Sequence, residues 1–339
     1  MARDEGRETR RTHSPLASEL TPPRFSTLDE YRARLGDPAF WAPYVHAVLR
    51  QHGLPVSPPK FGTVGTFPTF LVGGYVVKLF LSTLAKPFGT LFDGTLGQQV
   101  EVAVFGALAG QPAIPGPGLI AAGRLFDAGD GRQPADDPPW PYLVTTRLGG
   151  TPWSAAGLAL DERAGVARQL GAVVRQIHAL PPPTGLLWER DWLAEYREGC
   201  VERLRRWGTL PSRLIDRADA FLLLPPSDRR LVHADLHADH LFVDGGELVG
   251  IIDWGDALVA DPYYELPALH LGTFDADKGL LAAFLDGYGW PPDPDFARRA
   301  MTMTLLHAFD VMEGVAQRLD LRRVSTLEEL ADLVWGAWC

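Results

Sequence analysis

One short segment of the chain carries ionisable side chains at unusual density. Five of the eight residues from His233 to His240 are histidine or aspartate, and apolar residues flank the segment on both sides. Apolar flanks predict a loop at the end of a buried hairpin, where a charged group is costly unless it has a chemical use. Asp253, thirteen residues after His240, ends the apolar run 248–252. We therefore expect its carboxylate to emerge from the core as well.

Two carboxylates at the mouth of a hairpin meet the needs of phosphoryl transfer from a nucleotide. One aspartate accepts the proton of the attacking hydroxyl, a neutral ligand five residues further on holds a metal ion, and a later aspartate binds the same metal. The pattern H-x-D-x4-ligand followed by I-x-D gives these roles to Asp235, His240 and Asp253 in turn. A single aspartate could instead cap a turn or a helix, but here two apolar strands converge on the pair.

The predicted secondary structure that must position these residues changes along the chain from mainly strands to mainly helices. Residues 60–80 and 141–148 have the pattern of strands, and Gly73-Gly74 between apolar runs predicts a hairpin turn. Helical spacing of apolar residues covers 27–54, 97–109, 161–180, 191–207, 276–288, 294–318 and 326–337. The order predicts a strand-rich first half and a helical second half that contains the polar hairpin.

The segment 231–266, LVHADLHADHLFVDGGELVGIIDWGDALVADPYYEL, resembles the catalytic region of the aminoglycoside phosphotransferase and choline kinase-like family, except that the family's Asn is His240. The resemblance implies an α+β, two-lobed protein-kinase-like fold. Residues 1–25 are expected to form a disordered tail. Residues 26–144 are then the N-lobe, with N-terminal helices and a nucleotide-binding sheet, and 145–339 the helical C-lobe, with the catalytic hairpin and the acceptor site.

The resemblance also implies a lysine that contacts the nucleotide phosphates. Lys78 lies in an apolar strand, in a chain where only four of the 32 basic residues are lysines. Glu101, in the helix that follows, is expected to orient it. Gly62 and Gly65 are placed by the same comparison in a turn over the phosphates, although the segment lacks the G-x-G-x-x-G of protein kinases.

Four further residues take roles from the resemblance. Thr146 and Leu148 belong to the strand whose backbone is expected to pair with adenine between the lobes. His233 is expected to orient the backbone around the catalytic aspartate, and Asp261 to support the catalytic loop.

The implied reaction moves the γ-phosphate of ATP to a hydroxyl group of a small molecule, with Mg²⁺ as the metal. Mn²⁺ is an alternative, because the imidazole of His240 is a softer ligand than an amide. Aminoglycosides, amino alcohols such as choline, homoserine and sugars are all acceptors within the family, and the sequence does not choose among them.

Two other interpretations remain open at this point. Loss of the family's Asn would also fit a pseudokinase that binds nucleotide without transferring phosphate. The run from Asp235 to His240 also resembles the H-x-H-x-D-H motif of metallo-β-lactamase-like hydrolases, which can hold two zinc ions. That fold needs strands on both sides of the motif, whereas a helical pattern follows residue 160, and it leaves Lys78 and Glu101 without a role.

Composition and net charge disfavour several kinds of binding partner. The chain of 339 residues has a net charge of −10, which disfavours binding to nucleic acid or to anionic lipid. It contains no apolar run of the length that a membrane helix needs. The two cysteines, Cys200 and Cys339, build neither a disulfide framework nor a zinc site, which fits a reducing cytoplasm. We expect a cytoplasmic monomer or dimer.

Overall fold

The computed structural model describes residues 20–62, 65–81, 94–126, 140–222 and 228–336. By backbone contact the chain divides into two compact units, the first made of residues 1–98 and 119–147 and the second of residues 99–118 and 148–339. The second unit thus takes residues 99–118 from within the predicted N-lobe. The predicted boundary at residue 144 stays a prediction about domain organisation.

The first unit combines helices with an antiparallel sheet. Its elements, with the helix that leads into the second unit, are α1 (Leu28–Leu35), α2 (Pro38–Gln51), β1 (Lys60–Phe61), β2 (Thr69–Val72), β3 (Tyr75–Leu79), α3 (Gly94–Leu108), β4 (Leu119–Arg124) and β5 (Pro141–Thr146). The sheet has the order β1-β2-β3-β5-β4. Gly73 has a φ of +58° at the turn between β2 and β3, where the sequence predicted the hairpin.

Helix α2 begins where the sequence places its signals. Asp37 accepts hydrogen bonds from the backbone N–H groups of Ala39 and Phe40, and Pro38 occupies the first turn. The helix then buries Trp41 edge-on against Trp140, with ring centroids 5.2 Å apart. This aromatic packing forms the centre of the first unit's core.

The last six residues of the segment 1–25, which the sequence predicted to be a disordered tail, are described by the structure. Residues 20–25 belong to the packed part of the first unit: the indole N–H of Trp140 donates to the carbonyl of Pro23 at 3.2 Å, and the ring of Phe25 lies edge-on to Tyr31. An aromatic side chain that close to the core is held by burial of its apolar surface. Residues 1–19 lie outside the described residues.

The second unit is mainly helical. Its helices are α4 (Leu160–Ala179), α5 (Leu186–Glu189), α6 (Trp192–Glu198), α7 (Cys200–Trp207), α8 (Ser212–Ile215), α9 (Ala218–Phe221), α10 (Lys278–Tyr288), α11 (Phe296–Leu306), α12 (Glu313–Ala316) and α13 (Leu327–Trp335). Within the described ranges no helix is long and apolar enough to cross a membrane.

Two predicted helices are shorter than the sequence pattern indicated. The segment 191–207 divides into α6 and α7 at Gly199, and 294–318 does not continue as one helix beyond α11. The backbone turns out of the helical region at His307, at φ −56° and ψ 147°. Apolar residues keep a helical spacing past this point, so periodicity alone does not locate the break.

Helices α4 and α10 cross closely because each presents a glycine at the contact. A Cβ on Gly171 would lie 2.1 Å from the carbonyl oxygen of Phe284, and one on Gly287 would lie 1.9 Å from that of Arg168. Both distances are far inside van der Waals contact. Any side chain at these positions would therefore push the two helices apart.

Five strands of the second unit form two small sheets around the polar segment. They are β6 (Thr151–Pro152), β7 (Arg230–Val232), β8 (Leu241–Asp244), β9 (Glu247–Ile251) and β10 (Leu258–Ala260). Strand β7 pairs with β10, whereas β8 lies between β6 and β9, all antiparallel. The segment 233–240 therefore connects two sheets. The sequence predicted instead that it forms the tip of a single hairpin.

Candidate active site

The structure brings Asp235 and Asp253 together through the backbone. Asp235 lies in the segment that links β7 to β8, and Asp253 follows β9. The N–H of Ile252 donates to the carbonyl of His240 at 3.0 Å. The ring of His233 accepts the N–H of Asp235 at Nδ1, at 3.3 Å, so its Nε2–H donates to the carbonyl of Ile252 at 2.9 Å. His233 thus joins the two segments that carry the carboxylates, and its role in orienting the loop stays a prediction.

His240 lies between the two carboxylates. Its Nδ1 is 2.9 Å from the carbonyl oxygen and 3.6 Å from Oδ2 of Asp235, and its Nε2 is 3.4 Å from Oδ2 of Asp253. With Nδ1–H donating to the Asp235 carbonyl, Nε2 faces the Asp253 carboxylate.

The pKa values of this group reflect burial and mutual charge. Burial lowers the pKa of His240, but the carboxylates of Asp253 and Asp235 raise it more, to about 9. Burial raises the pKa of Asp235 to about 7, against the opposing effect of His240. An imidazolium between two acids thus balances the charge of the site when no ligand is bound.

Glu265 holds the backbone of the loop 233–240 through two hydrogen bonds. Its Oε2 accepts the N–H of His233 at 2.8 Å and its Oε1 accepts the N–H of Ala234 at 3.0 Å. Burial raises the pKa of Glu265, but hydrogen bonding and charge interactions with His178, together with the N–H of His233, lower it below its usual value overall. A buried carboxylate on two consecutive N–H groups holds the backbone just before Asp235 in one conformation.

Two more side chains hold the loop carbonyls. Nδ1 of His307 accepts the N–H of Phe309 at 3.2 Å, so its Nε2–H donates to the carbonyl of Ala234 at 3.2 Å. The hydroxyl of Thr273 donates to the carbonyl of Leu236 at 2.7 Å. The break in helical structure at His307 therefore places a ring against the loop.

Three residues that support the loop were not predicted from the sequence: Glu265, His307 and His178. Nε2 of His178 lies 3.4 Å from Oε2 of Glu265, and its Nδ1 lies 3.0 Å from the hydroxyl of Tyr288. All three missed residues are almost fully buried. A glutamate within the apolar run YYELPALHL was the available signal, because a buried acid requires partners.

Asp261 caps the element that carries Glu265. Its Oδ1 accepts the N–H of Tyr263 and caps the short 3₁₀ segment 262–265, and its Oδ2 lies 3.3 Å from Nη2 of Arg299. That segment ends at Glu265. The predicted supporting role of Asp261 thus remains a prediction, with capping of the element that carries Glu265 as its physical basis.

Both site segments contain a non-glycine residue in the left-handed region. Ala234 has a φ of +67° and Asp253 a φ of +62°. Such conformations cost about 1–2 kcal/mol for an L-residue and persist where surrounding contacts impose them. The hydrogen bonds to both backbone groups of Ala234 supply that constraint.

Glu101 is buried in α3, near Asp253. A Cβ on Gly255 would lie 3.4 Å from Oε1 of Glu101 and 3.6 Å from Oδ1 of Asp253, so both carboxylates border the same glycine. Lys78 belongs to the first unit, and its predicted pairing with Glu101 stays a prediction.

In the first unit, Lys78 lies on β3 opposite Leu143 of β5. Its Nζ is 5.1 Å from the ring centroid of Phe80 and 5.7 Å from that of Phe67, within the range of cation–π attraction. Lys78 is thus partly buried beside two aromatic rings, and its contact with nucleotide phosphates stays a prediction.

The predicted turn and connecting strand are placed as follows. Gly62 donates its N–H to the carbonyl of Thr69, and Gly65 is exposed; residues 63–64 between them lie outside the described residues. Thr146 pairs with Tyr75 at the end of β5. Leu148, in the second unit, lies against Gly250. A Cβ on Gly250 would lie only 2.3 Å from Cδ1 of Leu148. The nucleotide-binding roles of these residues stay predictions.

The donor set fits a divalent cation. The structure groups Asp235, His237 and His240, whose ligand atoms lie within 4.8 Å of one another, and Asp253 adds a carboxylate on the other side of His240. Carboxylate oxygens suit Mg²⁺, and a neutral imidazole adds a nitrogen ligand. The geometry is therefore compatible with the predicted metal ligands His240 and Asp253.

A family model and several solved structures match most of this chain. Residues 67–301 match the model described as the phosphotransferase enzyme family. The solved GDP complex of wild-type aminoglycoside 2'-phosphotransferase-IIIa is 20% identical, with a TM-score of 0.57 over 87% of this chain and 96% of that one. The streptomycin–ATP complex of APH(2")-IIa is 15% identical, with a TM-score of 0.54 over 84% and 97%.

A curated relative is the lysine-specific demethylase JMJ21 of Arabidopsis thaliana, 22% identical over an alignment of 273 residues; the match covers 58% of this chain. The chain spans 29% of the length of that protein. The solved structures establish the fold, which is the two-lobed, protein-kinase-like α+β fold that the sequence predicted.

Proposed function

The chain belongs to the phosphotransferase enzyme family, and we propose that it moves the γ-phosphate of ATP to a hydroxyl group of a small molecule. The observation that carries this proposal is the pair Asp235 and Asp253, held on two joined segments with His240 between them. Phosphoryl transfer requires one carboxylate that accepts the proton of the acceptor hydroxyl and a second carboxylate that binds a metal ion.

Asp235 is the proposed catalytic base. A hydroxyl that hydrogen-bonds to its carboxylate is aligned for attack and gives up its proton as the new O–P bond forms. A pKa near 7 in the ligand-free site suits a group that must accept a proton at neutral pH and release it afterwards. Glu265 and His307 would act as positioning residues, since they hold the backbone on either side of Ala234.

Nucleotide and metal use other residues. Mg²⁺, when bound, would be held by Nε2 of His240 and the carboxylate of Asp253 and would neutralise charge on the phosphates. Lys78 is proposed to contact the phosphates, with Glu101 as its orienting acid. Gly62, Gly65, Thr146 and Leu148 complete the proposed nucleotide contacts on the basis of the family resemblance.

The acceptor is proposed only by class. Streptomycin and kanamycin occur in solved complexes of structural neighbours that are 15% and 22% identical to this chain, which is too distant to transfer a substrate. A small hydroxyl compound, such as an aminoglycoside, an amino alcohol or a sugar, remains the proposed class. Family membership favours transfer over the hydrolase alternative.

A coupled assay tests the proposal. The full chain is incubated with ATP and Mg²⁺, and ADP release is followed across a panel of aminoglycosides, amino alcohols and sugars, with Asp235→Asn as the control. We expect ADP release that depends on one acceptor class and is absent in the control. Nucleotide binding without acceptor-dependent turnover would instead support the pseudokinase, and turnover equal in the control would contradict the role of Asp235.

A further inference from the structure

Two imidazole nitrogens flank a single carboxylate oxygen in the loop 233–240. Nε2 of His237 lies 3.7 Å and Nδ1 of His240 lies 3.6 Å from Oδ2 of Asp235. The planes of the two rings are inclined to each other by 39°, and the ring centroids are 3.7 Å apart. His237 has no role in the proposed transfer reaction, so its place in this arrangement needs another explanation.

The separations match those of a transition-metal site. A tetrahedral ion with bonds of about 2.1 Å to nitrogen and oxygen holds its ligand atoms about 3.4 Å apart. Distances of 3.6 and 3.7 Å are close to that value, and one ligand atom of each of the three residues lies within 4.8 Å of the others, so side-chain adjustments would let the three residues bind one ion. The His237 side chain is 37% exposed, which gives an ion a path from solvent.

A second carboxylate stands behind each imidazole. The remaining nitrogen of His240, Nε2, lies 3.4 Å from Oδ2 of Asp253, and that of His237, Nδ1, lies 3.8 Å from Oδ2 of Asp239. Asp239 is itself fixed by a hydrogen bond from the hydroxyl of Ser154. Carboxylates behind metal-binding histidines orient the rings and raise their basicity, and they are a regular part of zinc sites.

From this geometry we propose that Asp235, His237 and His240 bind a first-row transition-metal ion, with Zn²⁺ as the reference, through Oδ2, Nε2 and Nδ1. Binding replaces two hydrogen bonds of the metal-free loop, from Nδ1 of His240 to the carbonyl of Asp235 and from the N–H of Asp239 to Nδ1 of His237. Each ring then donates its remaining N–H to the carboxylate behind it. Solvent or a ligand fills the fourth position.

The site is distinct from the one proposed for Mg²⁺, because each ion uses a different nitrogen of His240, and the nitrogen that stays protonated cannot bind the other ion. Nε2 faces Asp253 for the nucleotide-bound Mg²⁺, whereas Nδ1 faces Asp235 and His237 for the softer ion. An ion on Oδ2 of Asp235 occupies the proposed base. Zn²⁺ therefore inhibits transfer, and this consequence, unlike the binding itself, rests on the proposed function.

Metal binding is measured without nucleotide or acceptor. Equilibrium dialysis of the full chain against Zn²⁺, and visible absorption of the Co²⁺ form, compare the wild type with His237→Ala and with the matched control His46→Ala, a partly exposed histidine of α2. We expect one tight Zn²⁺ per chain and the intense band of tetrahedral Co²⁺. His237→Ala should weaken Zn²⁺ binding more than about tenfold and remove the band, while His46→Ala should change neither.

Folding of His237→Ala is checked by circular dichroism and thermal unfolding. Asp239→Asn, which keeps the shape of the side chain, is a second variant and should weaken Zn²⁺ binding by about tenfold through the loss of the supporting carboxylate. Absence of Zn²⁺ binding in the wild type, or equal binding in wild type and His237→Ala, would overturn the proposal. Zn²⁺ binding without acceptor-dependent turnover would uphold this site while contradicting the transfer function.

Discussion

The carboxylate of Glu265 lies 2.8 Å from the backbone nitrogen of His233, thirty-two residues away in sequence, and holds the backbone that leads into Asp235. The same carboxylate takes the N–H of Ala234, whose positive φ it helps to impose. The conformation of the proposed base thus depends on an acid that touches neither nucleotide nor acceptor in the proposed reaction.

Replacement of Glu265 by glutamine should impair both stability and turnover. An amide has one acceptor oxygen, so one backbone N–H would face an NH₂ group and stay unsatisfied. We expect a loss of about 2–4 kcal/mol of unfolding free energy and a fall in kcat of about tenfold or more, with the KM for ATP nearly unchanged. Glu247→Gln, an exposed acid at the start of β9, is the control. Equal kcat in the two variants would remove Glu265 from the positioning residues.

Asp235→Asn tests the base itself. The amide keeps the shape of the side chain but cannot accept the proton, so turnover should fall by about 10²–10⁴. Nucleotide affinity, measured by calorimetry, should persist because Lys78 and Asp253 are intact. A variant that retains more than about a tenth of wild-type turnover on a true acceptor would show that the assignment is wrong.

Lys78→Ala addresses the phosphate contact. Loss of a charge-assisted hydrogen bond of about 1.5–3 kcal/mol should weaken ATP binding by about 10–100-fold and slow transfer as well, whatever the acceptor. Lys60→Ala, at an exposed position of β1 in the same sheet, should bind ATP like the wild type. Equal affinities in both variants would make Lys78 a lysine held only by its aromatic neighbours.

Acid should destabilise the fold through buried histidines. Burial lowers the pKa of His270 to about 4, despite its hydrogen bond to the carbonyl of Val334. An unfolded histidine has a pKa near 6.5, so the unfolded chain binds more protons than the folded one between about pH 4 and 6.5. Stability is therefore full above this window and falls as the pH decreases through it, by up to about 3 kcal/mol for this residue.

Thermal unfolding at pH 7 and pH 5 measures this effect. His270→Gln should show a smaller difference in Tm between the two pH values than the wild type, whatever its stability at pH 7. His46→Gln, at a partly exposed position, is the matched control and should keep the wild-type difference. An unchanged pH dependence in His270→Gln would mean that this ring is not held neutral by the fold.

The fold and the residues of the candidate site could be predicted from the sequence better than the contacts that hold those residues in place. Asp235 and Asp253 were recognisable because apolar strands lead directly to each carboxylate. Glu265 and His307 were not, because their function depends on contacts with residues more than thirty positions away, which spacing along the chain does not encode. No role was predicted for His237, since only the folded loop shows that its ring faces Asp235.

The same limit applies to the expected pH dependence at His240. A free imidazole at this position would predict metal-dependent activity that falls below about pH 6–6.5. In the folded protein the carboxylates of Asp253 and Asp235 outweigh burial and raise the pKa of His240 to about 9. The ligand-free site therefore holds a proton throughout the neutral range, and a metal ion must displace it.

The last prediction follows from that competition. A neutral imidazole is required for ligation, so apparent Mg²⁺ affinity in the presence of ATP should rise with pH up to about 9 in the wild type. An amide oxygen takes no proton, so His240→Asn should show a Mg²⁺ affinity that is nearly independent of pH from 7 to 9. The asparagine variant should also raise the ratio of Mg²⁺ to Mn²⁺ activity, since imidazole favours the softer ion. His240→Ala lacks a ligand and should lose activity with both metals. Activation curves for each metal at pH 7 and pH 9 decide the matter: if the alanine variant performs like the wild type under all four conditions, His240 does not bind the metal.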